Sequence, residues 1–565
     1  MTYFDDINDR FFEHLRSDVD VSVGLGLTDH LHRLGDPSLE AHWRSVDDTM
    51  ALLDDVDESR ANDFYERLDL QLIRRHLQQD LFFKTLKNHG ELQRRRKPGG
   101  VDGVSEGIFQ LFVNDERDSA SRLADILSRL RQVPDYLEAE AAVLTTPVKR
   151  WRDVEMQQAA EIPGLLESIL AWARETEFPD TAALERKIGT AREALKTYSA
   201  ALAALPTTDT FSIGIDKVEE LLALKQIDKT PEALREMAAD YMTETQRMLE
   251  DLRRRLVNKY GLDADTSIAT LHEFLNSRFA VELRNNELAS VLDHYQRERE
   301  VVQRFVDKRQ LFPIPDDQDI VITLTPGFLQ PVIPAGAMWP PLALREGTAK
   351  SMVYLTVKED ELDEHTRLGI CMMMIHEGIP GHHLQFASAV QQNSLVRKMF
   401  NANEHAEGWT TMLEDYMLDA GCVDGDIEDE VRFVAKRDIS RLVARVGIDL
   451  YFMTGDSHFL DVGLDLELDS ADPFENAARL LKSATGFTDG RVQAELNWYS
   501  RQQGYPLSYL TGNRMVWELK ADLQDANPKR LSSDELDREF HRIYLQSGCM
   551  PVASLREVFR HEGFL

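Results

Sequence analysis

Cysteine is scarce in this sequence. The 565 residues include only Cys371, Cys422 and Cys549, which lie far apart. An odd number of widely spaced cysteines is neither a disulfide framework nor a Cys-x-x-Cys metal site. The sequence therefore does not belong to the small secreted proteins that disulfides hold together.

Long hydrophobic runs are also missing. No stretch reaches the roughly 18 apolar residues that a membrane-spanning helix needs. The segment Met1–Ile7 has neither the basic nor the apolar region of a secretory signal. We therefore expect a cytoplasmic protein with no membrane partner.

Positive charge is in deficit. The chain has 65 Lys and Arg against 98 Asp and Glu, a net charge of −33, and the acidic residues are spread along its length. Such a field repels phosphate backbones, so nucleic-acid binding is not expected. The strongest basic runs, Arg94–Lys97 and Arg253–Arg255, are expected to be solvated faces or ends of helices.

Apolar residues nevertheless make up 43% of the chain, as in an ordinary folded protein. In Val218–Leu224 and Leu234–Leu256 they recur at spacings of three and four, which predicts amphipathic helices. Two strand-like runs, Ile320–Thr325 and Met352–Val357, interrupt the helical pattern. We expect a mainly α fold with a small β-sheet beside the helix that carries the candidate site.

The candidate site follows an apolar run. Ile370–Ile375 predicts a buried helix, and it leads into three histidines and a glutamate within eight residues: His376, Glu377, His382 and His383. Polar groups at the end of a buried helix must be satisfied, and a bound divalent metal ion does so economically. The alternative is a helix end whose histidines are only hydrogen-bonded.

The second metal ligand has two candidates. In the His-Glu-x-x-His motif of zinc proteases, two histidines one turn apart bind zinc and the glutamate is the base. Here Pro380 occupies the position of the second histidine. On a straight helix His383 lies on nearly the same side as His376, about 10.5 Å farther along the axis. A break at Pro380 would bring His382 to the metal instead.

The third ligand is expected to be Glu407, because a catalytic zinc ion usually has three protein ligands and a water. Glu407 precedes Gly408 and Trp409. Glu414, seven residues later on the same helical face, is expected to orient a ligand histidine by accepting a hydrogen bond. The alternative for these glutamates is an acidic helix surface.

The pattern His-Glu-x-x-Pro-Gly-His-His-Leu-Gln at His376–Gln385, followed by Glu-Gly-Trp at Glu407–Trp409, resembles the signature of a bacterial family. This is the domain-of-unknown-function 885 (DUF885) family, which is related to zinc-dependent peptidases of the gluzincin type. Looser similarity is found in Ser212–Leu234, in the Tyr-x-x-Gly element Tyr509–Gly512 and in Phe540–Pro551. The resemblance covers roughly residues 200 to 565.

This resemblance implies a large helical, zincin-like metallopeptidase fold with one zinc ion per chain. The residues implied at the ion are the base Glu377 and the ligands His376, His382 or His383, and Glu407. Tyr509 is implied as a donor to the tetrahedral intermediate, with His541 as the alternative. Thr348–Ser351 departs from the Ser-Arg-Pro-Gly of many members, so substrate contacts are expected to differ.

Together these features predict a zinc-dependent hydrolase that cleaves amide bonds of oligopeptides, with the attacking water activated by Glu377. We expect the strand Met352–Val357 to pair with an extended peptide substrate. The alternatives are a metal-dependent hydrolase of an ester or amino-acid conjugate, and a non-catalytic helical binding protein.

Three arginines, Arg437, Arg441 and Arg445, recur at every fourth position and form one basic stripe. Salt bridges with acidic neighbours are expected for them. The alternative is that one of them binds a substrate carboxylate, which would give carboxypeptidase-like behaviour.

The chain is expected to comprise an N-terminal helical region, residues 1–200, and a catalytic region, residues 201–565. No linker-like stretch separates the two regions. We therefore expect them to form one continuous body.

Overall fold

The computed structural model describes residues 2–330, 333, 336–359, 362, 365–527 and 531–565. Helices account for 68% of the described residues and strands for 5%, which confirms the mainly α fold. Among the described residues, none of the helices combines the length and the apolar character that a membrane span requires.

The chain divides into two compact units. The first holds the described residues of Met1–Ile213, Pro326–Val332 and Leu342–Arg345. The second holds those of Gly214–Thr325, Ile333–Pro341 and Glu346–Leu565. The predicted regions, a helical one at residues 1–200 and a catalytic one at residues 201–565, differ in their expected function, and that difference stays a prediction.

The first unit is built from helices and one short hairpin. Its elements are α1 (Tyr3–Ser17), α2 (Val19–Gly24), α3 (Leu39–Asp55), α4 (Phe64–Thr85), β1 (Lys87–Asn88), β2 (Glu91–Leu92), α5 (Gly100–Val113), α6 (Ser119–Val143), α7 (Lys149–Glu175) and α8 (Thr181–Ala204). Arg94, expected to be solvated, instead binds the buried carboxylate of Glu140. A cation paired in this way is not available to a nucleic acid.

The second unit contains the candidate site. Its helices are α9 (Ile215–Leu224), α10 (Pro231–Tyr260), α11 (Ile268–Arg278), α12 (Val291–Arg309), α13 (Arg367–Glu377), α14 (His382–Ala389), α15 (Leu395–Met399), α16 (Asn403–Asp419), α17 (Glu428–Thr454), α18 (Pro473–Thr485), α19 (Asp489–Arg501), α20 (Ser508–Ala526), α21 (Ser533–Gln546) and α22 (Val552–His561). Most of α16 and α17 is buried. A helix buried all round lies in the core of a large protein, so the core of this unit surrounds the residues from Glu404 to Leu418.

A three-stranded sheet lies in the same unit. Its strands are β3 (Gln318–Leu324), β4 (Gly336–Trp339) and β5 (Ala349–Leu355). The order is β3–β5–β4, with β5 parallel to β3 and antiparallel to β4. The small sheet is therefore present as predicted, although the sequence did not indicate β4.

The position of β5 corrects one prediction. From Met352 to Leu355, β5 is paired with β3 on one side and with β4 on the other. Its backbone hydrogen-bonding groups are thus used within the sheet. The expectation that this strand pairs with an extended substrate is wrong for these residues.

Candidate metal centre

The motif histidines lie on two helices because the chain breaks at Pro380. Helix α13 ends at Glu377 and α14 begins at His382. Between them Gly381 lies against the end of α13, where a Cβ atom would come within 2.0 Å of the carbonyl oxygen of His376. No side chain fits there, so glycine lets the chain turn back onto the helix it has just left.

Trp409 of α16 forms a hydrogen bond with the chain at this break. Its indole N–H donates to the carbonyl oxygen of Pro380 at 3.0 Å. The Trp409 side chain is fully buried, and its ring stacks on that of Tyr544 at 4.7 Å. The contact fixes α16 against the break and places Glu407 beside the start of α14.

His376, His382 and Glu407 come together in a cluster that can hold a metal ion, with one ligand atom of each within 4.8 Å of the others. Glu407 Oε2 lies 3.3 Å from Nε2 of His382 and 3.8 Å from Nε2 of His376. This oxygen is buried and has no hydrogen bond of regular geometry with the described residues. A buried carboxylate oxygen that faces two imidazole nitrogens fits a divalent cation such as zinc.

Each histidine of the cluster is held at its other ring nitrogen. Nδ1 of His376 lies 2.8 Å from Glu414 Oε1, which is the contact predicted for Glu414. Nδ1 of His382 lies 3.3 Å from the side-chain oxygen of Gln385. Because a carboxylate oxygen only accepts, Nδ1 of His376 carries the proton and Nε2 is turned toward Glu407.

Glu407 is held in the same way by Tyr505, a residue that the sequence analysis missed. The Tyr505 hydroxyl donates to Glu407 Oε1 at 2.6 Å. Tyr505 lies in the turn before α20, where no helical periodicity marks it. Its spacing of four residues from Tyr509 was the one signal available.

The charges of the cluster stabilise each other. Burial of the His382 ring lowers its pKa, but the Glu407 carboxylate outweighs this effect and raises the pKa to about 9. Burial raises the pKa of Glu407, but the two histidines lower it to about 2. His382 is therefore protonated and Glu407 ionised at neutral pH.

Glu377 and Tyr509 lie beside this cluster. Glu377 is the last residue of α13, and its Oε2 is buried without a hydrogen bond to the described residues. Tyr509 lies half-buried in the first turn of α20. Burial, the Glu407 carboxylate and, more weakly, the Glu377 carboxylate raise the pKa of Tyr509 well above its usual value. The Tyr509 hydroxyl therefore stays protonated and can donate.

His383 is not part of the cluster. It is fully buried, its Nδ1 lies 2.8 Å from the hydroxyl of Ser351, and its Nε2 lies 2.6 Å from the side-chain oxygen of Gln318. These contacts join α14 to β5 and β3. The straight-helix alternative is wrong because the break at Pro380 turns His382, and not His383, toward His376.

His541 is also placed elsewhere. It is fully buried, its Nδ1–H donates to the carbonyl of Leu311 at 2.9 Å, and its ring stacks on Phe312 at 4.3 Å. Burial lowers the pKa of His541 to about 3, so it is neutral. Its contacts are those of a residue that packs α21 into the core, and they do not favour the alternative role as a donor to the intermediate.

The three arginines of α17 bind partners within the protein. These partners are Asp438 for Arg441, Glu495 and the Tyr499 hydroxyl for Arg445, and the carbonyl of Thr485 for Arg437. The prediction of salt bridges is confirmed for Arg441 and Arg445, and none of these contacts favours the carboxylate-binding alternative. The Arg445 guanidinium also lies 4.1 Å from the ring centre of Tyr509, so it packs against that ring.

Known proteins resemble this chain in family and in fold. A family model for bacterial proteins of unknown function, DUF885, matches residues 20–558. No curated protein matches the chain. A solved structure from Shewanella oneidensis, described as a putative lipoprotein of unknown function, is 17% identical with a TM-score of 0.73 and 99% of both chains covered. One from Colwellia psychrerythraea, described as a putative lipoprotein, is 16% identical with a TM-score of 0.77, covering 100% of this chain and 99% of the other. At these identities the likeness concerns the fold alone.

Proposed function

The chain belongs to the DUF885 family, and we propose that it is a zinc-dependent hydrolase that cleaves amide bonds of oligopeptides. The observation that carries the proposal is the cluster of His376, His382 and Glu407. Two histidines and one carboxylate, with a fourth position for water, form a common catalytic zinc site. Glu377, the required base, lies at the end of the helix that carries His376.

In this mechanism His376, His382 and Glu407 would hold one zinc ion. Zinc at this position would lower the pKa of a water molecule and polarise the scissile carbonyl. Glu377 takes the proton of the attacking water and passes it to the leaving amine. The Tyr509 hydroxyl donates a hydrogen bond to the oxygen on which negative charge develops.

The oligopeptide substrate is supported by the resemblance of the motif to zinc peptidases, and a catalytic role for the metal is supported by the base at Glu377. A site that only held a structural metal would have no use for that base. The cytoplasmic location stays a prediction from the sequence. The word lipoprotein in the descriptions of the two similar structures concerns those proteins alone.

The test compares the wild type with Glu407→Ala and Glu377→Gln. Zinc content is measured by mass spectrometry, and cleavage is measured on a mixed oligopeptide library. We expect about one zinc per wild-type chain, loss of zinc and cleavage in Glu407→Ala, and retained zinc without cleavage in Glu377→Gln. A wild type that binds zinc but cleaves no peptide would overturn the proposal of an oligopeptide substrate. A wild type that binds no zinc would overturn the proposal of a zinc site.

A further inference from the structure

The two carboxylate oxygens of Glu407 have different surroundings. Oε1 accepts the Tyr505 hydroxyl at 2.6 Å, whereas Oε2 faces Nε2 of His382 at 3.3 Å. The bond from Tyr505 therefore occupies one oxygen and leaves the other directed at the histidines. A carboxylate fixed in this way offers a metal one oxygen instead of two.

Tyr505 needs support to hold this position, because it belongs to no helix. It lies between Arg501, the last residue of α19, and Ser508, the first residue of α20. Its ring contacts those of Trp498 at 5.1 Å and Tyr509 at 6.0 Å. Ring contacts limit the position of the side chain, but they do not fix the backbone that presents it.

Asp449 of α17 supplies that support. Its Oδ1 accepts the backbone N–H of Gly504 at 3.1 Å, and its Oδ2 accepts the backbone N–H of Leu507 at 3.0 Å. The two N–H groups flank Tyr505, so one side chain closes the turn around it. Asp449 is fully buried, and burial raises its pKa to about 7 in spite of both hydrogen bonds. Because burial of a charged carboxylate costs free energy, we infer that Asp449 is placed here for its two hydrogen bonds to the turn.

We propose that Asp449 and Tyr505 are positioning residues that fix Glu407 as a one-oxygen metal ligand. Asp449 shapes the turn, the turn presents the Tyr505 hydroxyl, and the hydroxyl orients the carboxylate. Neither residue touches the reacting atoms. This inference rests on the proposed zinc site, but it concerns metal affinity and not the substrate.

The test is the zinc dissociation constant, measured on the full chain by competition with a chromophoric chelator. Tyr505→Phe removes only the hydroxyl, and we expect it to weaken zinc binding about 10- to 100-fold, as for other groups that orient a metal ligand. The control is Tyr416→Phe, which removes another tyrosine hydroxyl bonded to a carboxylate, that of Asp537 at 2.8 Å. Tyr416 lies on the same helix as Glu407, and its substitution should leave zinc affinity unchanged.

A second pair of variants separates positioning from a general loss of structure. Asp449→Asn is made in the wild type and in Tyr505→Phe, which still binds zinc but lacks the hydroxyl that the turn presents. A structural role would weaken binding in both backgrounds and would overturn the proposal. Asp449→Asn turns an amide N–H₂ toward one of the two backbone N–H groups, and it should weaken zinc binding in the wild type but not in Tyr505→Phe.

The outcomes also distinguish this inference from the proposed function. Zinc binding by the wild type with equal affinity in Tyr505→Phe would overturn the positioning role and leave the zinc site intact. A wild type without zinc binding would overturn both. If Tyr505→Phe fails to fold by circular dichroism, Asp449→Asn in the wild type decides, and unchanged zinc affinity there would count against the proposal.

Discussion

Gly408 and Gly512 lie in direct contact where α16 and α20 cross. A Cβ atom on Gly408 would come within 2.5 Å of the carbonyl carbon of Gly512, and one on Gly512 within 2.0 Å of the carbonyl oxygen of Glu404. Gly408 belongs to the Glu-Gly-Trp segment and Gly512 to the Tyr-x-x-Gly element. The contact explains why both segments contain glycine, and it brings the segment of the proposed ligand Glu407 against that of the proposed donor Tyr509.

The close approach of these two glycines predicts that a methyl group at Gly512 destabilises the protein. Gly512→Ala should lower the free energy of unfolding by about 1–3 kcal/mol, because the helix backbones must move apart to admit the methyl group. Separation of the helices should also weaken zinc binding. Urea unfolding and zinc competition check the two effects.

The matched control is Gly189→Ala in α8, where a Cβ atom meets nothing within 4 Å. An alanine in an open helix position should stabilise the protein by about 0.5–1 kcal/mol. A Gly512→Ala variant as stable as this control would contradict the close packing of α16 and α20.

A second prediction concerns the hydrogen bond between Glu414 and His376. Glu414→Gln replaces an ionised acceptor with a neutral amide, so His376 becomes a weaker ligand, and zinc affinity should fall about 10-fold or more. Zinc competition measures the change. Asp415→Asn is the control, because Asp415 is the next acidic residue on α16 and pairs with Lys436 at 2.7 Å. An equal loss in both variants would mean that the effect is general to the helix.

Part of this site could be predicted from the sequence, because its signals are local. Residue spacing placed Glu414 on the face of Glu407, and Pro380 predicted a break in the helix. The choice between His382 and His383 could not be made, because it depends on how closely Gly381 approaches the end of α13. That approach is a tertiary contact, and spacing along the chain does not contain it.

Prediction of the fold from the sequence was limited in the same way, because only local patterns could be recognised. Helical periodicity predicted the mainly α architecture, but β4 has only four residues and gave no alternating pattern long enough to recognise. Tyr505 could not be predicted from the sequence, because its turn is held by a buried aspartate from another helix, Asp449. His541 was assigned by resemblance, and its burial among aromatic rings follows from packing alone.

A third prediction follows from the charges of the cluster. The pKa of His382 is raised to about 9 and that of Glu407 is lowered to about 2, so near pH 7 a metal ion must displace the proton of His382. Zinc binding should release about one proton per ion, and affinity should rise about tenfold per pH unit up to about pH 9. Calorimetry in buffers of different ionisation enthalpy counts the protons. Affinity that stays constant between pH 7 and 9, with no proton released, would contradict a protonated His382 in the metal-free site.

The same pKa shifts set the stability of the metal-free protein. The raised pKa of His382 stabilises the fold fully below its unfolded value of about 6.5, and this contribution is lost as the pH rises through about 9. The lowered pKa of Glu407 stabilises the fold fully above its unfolded value of about 4.5, and this contribution is lost as the pH falls through about 2. Both contributions are present in full between about pH 4.5 and 6.5. A Glu407→Gln variant should show a flatter dependence of unfolding free energy on pH.

The last prediction separates chemistry from metal binding at two neighbouring tyrosines. Tyr509→Phe removes the hydroxyl that we place at the developing negative charge, and loss of one such donor lowers kcat by roughly 10²- to 10³-fold. Zinc affinity should not change, because Tyr509 does not orient a ligand, and KM should change little, because the bond forms mainly in the transition state. Tyr505→Phe should do the reverse, with weaker zinc binding and a nearly normal kcat at saturating zinc. If both variants lost zinc affinity equally, the two tyrosines would not have separate roles, and the donor to the intermediate would have to be sought elsewhere in the site.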